Sequence, residues 1–521
     1  MINTGSSRGE TEGGRERVRS FEDASRCRIS LSGDNAVKAL SSKAAHSRTK
    51  ASERQHRVEA VNGFRRVHKK DTMRTSRKGS VEMPAFVRQL VKETEKRVTS
   101  FFKGGRGGGA GELSEGEEGG EEEGVIPSPY LDRPVLDKHM QEGCASWGLT
   151  YALASMQGWR AHMEDFHNCF PQLGGELAHW GFFAVYDGHA GSAVAQHCSR
   201  NLLDHILGTV NGGLDLVTSY FFSGKIRADD DVERVTEGIK EGFFLMDKHL
   251  HAMACREGWE RGGTTVVATA ITPHHIYFVN CGDSRAVLCR AGRVAFSTED
   301  HKPFSPGERE RIENAGGSVT LQRVNGSLAV SRALGDFSYK TAEWRPVTEQ
   351  MVSPEPEVSA VERSPADEFL VLACDGVWDT VTNEELCAFI HSRLRVCTDL
   401  REVCSQVIDL CLYKGSLDNI SIILVCFPAA PQLSPEALHQ EAELEDFLES
   451  KVAEIFEELS ARGDEPDLLS VLTVLASTVI PGLPPGGGLQ SKRNCIISAY
   501  YQQKEARRSR LAQELSPTDA N

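Results

Sequence analysis

Phe182-Phe183-Ala184-Val185-Tyr186-Asp187-Gly188-His189-Ala190-Gly191 is a continuous apolar run that ends in a carboxylate and then gives way to a glycine-bounded turn. Five apolar residues in a row, closed by a turn signal, read as a buried strand. A charge at the end of such a strand is costly unless it is paired or bound to a cation. The pattern recurs at Phe369-Leu370-Val371-Leu372-Ala373-Cys374, which runs into Asp375-Gly376, and Asp418 stands just ahead of the apolar stretch Ile420 to Phe427. Met163-Glu164-Asp165 supplies further acids. Each Asp-Gly taken alone is explained as a turn. Three together, with an arginine and a histidine nearby in sequence, make cation binding competitive, and hard oxygen ligands without a Cys/His set suit Mg2+ or Mn2+ rather than zinc.

Around these runs, Thr264 to Ile271, His275 to Asn280, Ala286 to Cys289 and Val294 to Phe296 read as short strands, several joined by turns tight enough for antiparallel neighbours. Asn325-Gly326, between Leu321 to Val324 and Ser327 to Val330, predicts a hairpin. Ala190 to Leu207 and Val232 to Met253 are amphipathic helices, and Ser305-Pro306-Gly307-Glu308 predicts a capping box opening a helix that stops at Gly316. Strand meanders with helices between the groups predict an α+β or a layered α/β/β/α architecture rather than a doubly wound parallel sheet. From Ser434-Pro435 onward the pattern is helical, with Leu438, Leu444, Phe447, Leu448, Val452, Ile455, Phe456 and Leu459 on helical faces and Asp467 to Val479 a further helix, so a small all-α domain closes the chain.

At 521 residues the chain has room for two or three folded units plus unstructured ends. Its net charge of -15 conceals an asymmetry: residues 1–106 hold 25 Lys/Arg against 12 Asp/Glu, and residues 107–124 hold seven Glu and no base. The expected organisation is a disordered basic arm and Gly/Glu linker over 1–126, a catalytic domain over 127–430, and a helical C-terminal domain and tail over 431–521. Within the arm, Ala85 to Phe102 is a helix candidate and Arg77-Lys78-Gly79-Ser80 resembles a basic-directed kinase site. The +13 arm invites nucleic acid or acidic membranes, but it lacks interleaved aromatics and is expected to be a solvated, regulated tail. No nucleic acid and no stable membrane anchor are expected. The first 30 residues carry no apolar h-region, and Leu468 to Ile480 is too short to span a bilayer. Fourteen cysteines without a CxxC pair point to reduced thiols in the cytoplasm or nucleus.

No Walker A loop and no HExxH occur. Cys255-Arg256-Glu257-Gly258-Trp259-Glu260-Arg261 matches the spacing of a cysteine-nucleophile phosphatase loop, but two glutamates beside a phosphate dianion oppose that reading.

The chain from about Leu131 to Pro428 resembles the metal-dependent Ser/Thr protein phosphatases of the PPM family, type 2C. The resemblance rests on Ser155 to Arg160 running into Met163-Glu164-Asp165, Val185 to Gly191, Gly263-Thr264-Thr265, Asn280 to Arg285, Glu299 to Pro303, Val330 to Asp336, Cys374 to Asp379 and Ser416 to Ser421. Leu131 to Pro134 and the helical region after Pro428 resemble the animal alpha/beta-type subgroup, which carries a C-terminal helical domain. Ile2 leaves no myristoyl-acceptor glycine, and an arm of about 125 residues takes its place.

The resemblance implies a β-sandwich of two antiparallel sheets flanked by helices, with metals in a cleft at one end. It implies that Asp187 bridges two Mg2+ or Mn2+ ions, with the Gly188 carbonyl on one and Asp375 and Asp418 on the other, and that Glu164 acts directly or through water. Arg160 is then the phosphate fork and His189 the general acid. Asp300 and Asp379, with Asp375, match a weaker third metal position; Asp165 and Asp283 are outer or structural acids; Arg332 either anchors a loop or touches substrate. The implied reaction is hydrolysis of phosphoserine and phosphothreonine in phosphorylated protein substrates by a metal-activated water, without a phosphoenzyme, in a monomer. A catalytically silent phosphopeptide-binding scaffold is the competing class, but none of the expected acids is missing. Phe166 and Leu417 depart from the family pattern without removing a ligand and bear on cleft shape. Specificity is expected from the loop Asp336 to Val352 and the helical appendage.

Overall fold

The computed structural model describes residues 129–145, 147–208, 226–227, 231–257, 259, 261–463 and 466–514. The basic arm, the linker, the Ala85 to Phe102 segment, the pattern at Ser80 and the end of the tail lie outside the described residues, as do Gly258 and Glu260 of the Cys255 loop.

In chain order the elements are β1 (Tyr130–Cys144), β2 (Thr150–Arg160), β3 (Phe166–Phe170), β4 (Gly181–His189), α1 (Ala193–Ile206), α2 (Val232–Glu257), β5 (Gly263–Ile271), β6 (His275–Cys281), β7 (Arg285–Arg290), β8 (Arg293–Ser297), α3 (Pro306–Asn314), β9 (Val319–Thr320), β10 (Arg323–Val324), β11 (Leu334–Gly335), β12 (Glu357–Glu362), β13 (Asp367–Ala373), α4 (Asp375–Trp378), α5 (Asn383–Leu394), α6 (Leu400–Lys414), β14 (Ile420–Cys426), α7 (Pro435–Ala461), α8 (Leu468–Ala476) and α9 (Arg493–Glu514). One sheet has the order β1-β2-β14-β13-β7-β8 and the other β12-β6-β5-β4-β3, with β11 added to β5. Among the described residues every pair of these strands is antiparallel.

The period-two alternation of side chains builds the layers. Phe182, Ala184 and Tyr186 of β4 pack with Cys198 and Leu202 of α1 and with Phe243 and Met246 of α2. Phe183 and Val185 of the same strand face the other way and join Leu153, Leu370, Leu372, Ile423 and Val425 between the sheets. On the far side Phe369 and Val371 pack with Phe389 and Ile390 of α5 and with Val403, Val407 and Ile408 of α6. The result is the expected α/β/β/α sandwich. Burying one such phenylalanine contributes about 2–3 kcal/mol.

Several expectations need correction. The Ser305 side chain caps nothing in the first turn of α3. Glu308 is drawn away from the helix terminus by Arg332 and Arg311, whose charges outbid a backbone N–H. At Asn325-Gly326 the long flanking strands do not form. Both residues have positive φ, as a type I′ turn requires, but it closes a single Val324–Leu328 bridge, while β9 and β10 meet across Leu321-Gln322, also at positive φ. Strand β1 left no apolar signature because it is an edge strand, carrying Pro134 and charges. Its Lys138 reaches the α6 residues Ser405 (2.8 Å to Oγ) and Asp409 (2.7 Å).

The helical region begins as expected at Ser434, whose hydroxyl accepts from the Ala437 N–H. Leu444, Leu448, Val452 and Ile455 of α7 pack with Val471 and Leu475 of α8 and with Ile497 and Tyr500 of α9. Arg393 of α5 pairs with Glu441 of α7, and Lys492 donates to Glu441 and, at 2.7 Å, to Glu445. Arg493 stacks over Tyr413 of α6 at 4.9 Å from the ring centroid. Among the described residues no helix is long and apolar enough to cross a membrane.

Candidate metal centre and active site

Antiparallel register decides where the acids meet. Asp187 lies opposite Thr265 near the start of β5, Ala373 lies opposite Arg285 at the start of β7, and Ile420 at the start of β14 lies opposite Met156 near the end of β2. Asp187, Asp283, Asp375, Asp418 and Arg160 therefore come to one end of the sandwich. Carboxylate oxygens of Asp187, Asp283 and Asp375 lie within 4.8 Å of one another, and an oxygen of Asp165, one of Asp187 and the Cys374 Sγ form a second such group.

Burial pushes the Asp187 carboxyl well above the usual range, and the neighbouring Asp375, Asp165, Asp283 and Asp418 push it further. Asp375 is raised in the same way, by burial and then by Asp283, Asp418 and Asp379. Burial raises Asp165 to about 6 against the opposing pull of Ser421 and Cys374. Its Oδ2 accepts from Ser421 at 2.6 Å, while its buried Oδ1 has no partner. At such separations two like charges repel by about 3–4 kcal/mol at an effective dielectric near 20. A divalent cation reverses that sign, so this all-oxygen donor set fits hard ions of the Mg2+ or Mn2+ class. The Cys374 thiol, pushed far up by burial, stays protonated and is no ligand for them.

Arg160 directs its fork at Asp418, with Nε–Oδ1 2.7 Å and Nη2–Oδ2 3.0 Å. Burial works against its charge, but Asp418 prevails and raises its pKa. Glu164 sits at the mouth: its Oε1 accepts from the Gly191 N–H at 2.7 Å, and its own N–H donates to Asn419 Oδ1 at 2.9 Å. Gly188 is fully packed, since a Cβ there would lie 2.5 Å from the Glu164 carbonyl. Asp300 is closed on Arg285 by two bonds of 2.9 and 2.8 Å and stands outside both ligand groups. Asp379 is raised by burial and by Asp283 and Asp418, with Lys302 opposing. Asp283, read from sequence as an outer acid, stands within the first group. Phe166 packs against the α1/α2 core and Leu417 is exposed.

His189 Nε2 lies 2.7 Å from Asp336 Oδ2. Burial disfavours the charged imidazole, but Asp336 outweighs it and the pKa rises. Asp336 closes the Val330 to Asp336 motif, but its strained left-handed backbone, φ 52°, is invisible in sequence. The buried Asp247–Lys340 pair holds it there: Asp247 accepts from the Gly335 N–H at 2.9 Å, and Lys340 Nζ donates to Asp247 at 2.7 Å. Gly263 makes room, since a Cβ there would fall 2.2 Å from Asp336 Oδ2. Asn419 likewise lies within a matched motif, Ser416 to Ser421, that assigns it no role. Its amide clamps the chain at Gln157 O (2.8 Å) and His162 O (3.0 Å).

Arg332 anchors a loop: it donates to Glu308 at 2.8 Å and to the Glu355 carbonyl at 3.2 Å. Burial pushes Glu308 up, yet the Arg332 hydrogen bonds and the charge of Arg311 prevail and hold it at about 2. A depressed carboxylate stabilises above its unfolded pKa, and the contribution is lost as pH falls from about 4.5 toward about 2. Glu308→Gln therefore costs about 3 kcal/mol at pH 7 and almost nothing at the acid end of that window. Urea midpoints of both proteins across pH 2–7 check this; a pH-independent gap would contradict it.

The protein phosphatase 2C family model matches residues 149–420, and the model for the protein serine/threonine phosphatase 2C C-terminal domain matches residues 421–501. The chain belongs to the protein phosphatase 2C family. Protein phosphatase 1A of Oryctolagus cuniculus is 54% identical over 374 residues, 71% of this chain and 94% of that one. Protein phosphatase 1B of Rattus norvegicus is 53% identical over 372 residues, 71% of this chain and 93% of that one. Both agree with the animal alpha/beta-type subgroup. Among solved structures, a phosphatase from a pathogenic strain of Toxoplasma gondii aligns at 27% identity with a TM-score of 0.45, over 56% of this chain and 96% of that one. This protein phosphatase 2C is accordingly a metal-dependent serine/threonine phosphatase acting on phosphoprotein substrates.

Proposed function

We propose that the enzyme hydrolyses phosphoserine and phosphothreonine by direct attack of water activated at a pair of Mg2+ or Mn2+ ions, without a phosphoenzyme. The observation that carries this reading is the mutual approach, within 4.8 Å, of oxygens from Asp187, Asp283 and Asp375. Asp187, Gly188, Asp375 and Asp418, with Glu164, would hold the pair. Asp283 and Asp379 beside Asp375 offer a weaker third position, for which Asp300, closed on Arg285, is less available. Bound there, divalent ions supply Lewis acidity toward phosphoryl oxygens and acidify water.

The chain's own residues do the rest. Arg160 offers its planar fork to two phosphoryl oxygens in place of Asp418. Asp336, through Nε2, favours the charged form of His189, whose transferable proton on Nδ1 is delivered to the departing seryl or threonyl oxygen. It returns to the neutral ring with Nε2–H still donated to Asp336. The enzyme is further assigned to the cytoplasm or nucleus as a monomer, without nucleic acid or a stable membrane anchor; free buried thiols such as Cys198, Cys281 and Cys404 support a reducing compartment.

Phosphopeptide hydrolysis is expected to stop in EDTA and return on adding excess Mn2+ or Mg2+. Full turnover in EDTA would end this reading, and phosphopeptide binding without turnover at any metal concentration would establish the scaffold instead.

A further inference from the structure

Lys302 lies within a matched motif but received no role from it. Its Nζ stands 2.5 Å from Asp283 Oδ2, and the Asp283 side chain is only 3% exposed. Asp283 is one of the three acids whose oxygens lie within 4.8 Å of one another, and the Lys302 charge is also felt by Asp375 and Asp379. Arg285, the neighbouring cation, is committed to Asp300 and Asn383 by three hydrogen bonds and stacks over Trp378. Lys302 is the more easily moved of the two. It is a compact charge on a four-carbon stem, with a single hydrogen bond to a side chain among the described residues, and it is 25% exposed and so has a way out.

Resting on the metal reading above, we propose that the Lys302 ammonium is the resident counter-cation of the Asp283, Asp375 and Asp379 side of the cluster, and that a divalent ion enters that side only by displacing it. One positive charge on Asp283 offsets the repulsion among these acids when no metal is bound. The incoming ion must then pay for breaking that pair, which makes this the weak position of the centre. Lys302 is thus a positioning residue that sets how much free Mg2+ or Mn2+ the enzyme needs for full occupancy.

The test is Mn2+ binding to the full chain, followed by calorimetry and by the electron-spin signal of free Mn2+, for the wild type, Lys302→Met and Lys302→Arg. Lys302→Met is expected to tighten the weakest Mn2+ site about tenfold or more, and Lys302→Arg to restore wild-type affinity. In EDTA, Lys302→Met should unfold at a lower temperature than the wild type, and saturating Mn2+ should close that gap. A merely structural lysine would leave the gap the same with and without metal. Lys302→Gln serves the same comparison if the methionine variant does not fold. Wild-type binding of Mn2+ with unchanged affinity in the folded variant, or a Tm gap that Mn2+ does not close, would overturn the inference. No Mn2+ uptake by the wild type would instead overturn the metal reading beneath it.

Discussion

Asp187→Asn is expected to lower kcat on a phosphothreonine peptide by at least about 10^3-fold, equivalent to about 4 kcal/mol of transition-state stabilisation, while raising the melting temperature of the metal-free protein. The two effects have opposite signs for one reason. Asp187 sits buried among Asp375, Asp165, Asp283 and Asp418, each of which repels its charge. Its pKa is raised in the folded state, so at neutral pH its ionised form destabilises the fold, and a neutral isostere relieves that repulsion. The same charge is what makes the cluster a site for divalent cations. Thermal melts with and without Mn2+ separate the contributions: the wild type should gain strongly from the metal and the variant little. A variant that loses activity and is also less stable in EDTA would show that Asp187 serves chiefly as a structural residue.

The second large effect concerns the leaving group. His189→Ala should slow phosphopeptide hydrolysis by about 10^2-fold or more, in the range of a lost general acid, and p-nitrophenyl phosphate hydrolysis far less, because nitrophenolate departs without a proton. Asp336→Asn should show the same selectivity with a smaller loss, since the imidazole remains but its partner at 2.7 Å no longer carries charge. Equal losses on both substrates would assign His189 to substrate binding or to support of the neighbouring carboxylates rather than to proton delivery. Measuring kcat for both substrates at saturating Mn2+ makes the comparison direct.

Much of the centre was legible because its chemistry is written where strands end. Asp187, Asp375 and Asp418 each border an apolar run, and a charge at that boundary is the local conflict that signals a functional position. The capping box failed for a related reason: local pattern pointed Glu308 at its helix terminus, but Arg332, distant in sequence, and Arg311, on the helix itself, offered stronger partners. The edge strand β1 escaped notice because it need not be apolar on both faces.

The alternating and continuous apolar runs by themselves determined most of the strands, the helices between them and the helical appendage, since these depend on the short-range periodicity with which side chains leave the backbone. Tertiary structure alone decided which charges became neighbours. Antiparallel register set Asp283 beside Asp375 and Lys302 upon Asp283, turned Asp300 to Arg285, and brought Asp336, held by Asp247 and Lys340, against His189. Electrostatic coupling falls off over a few ångströms of space, and sequence order does not record which residues come that close.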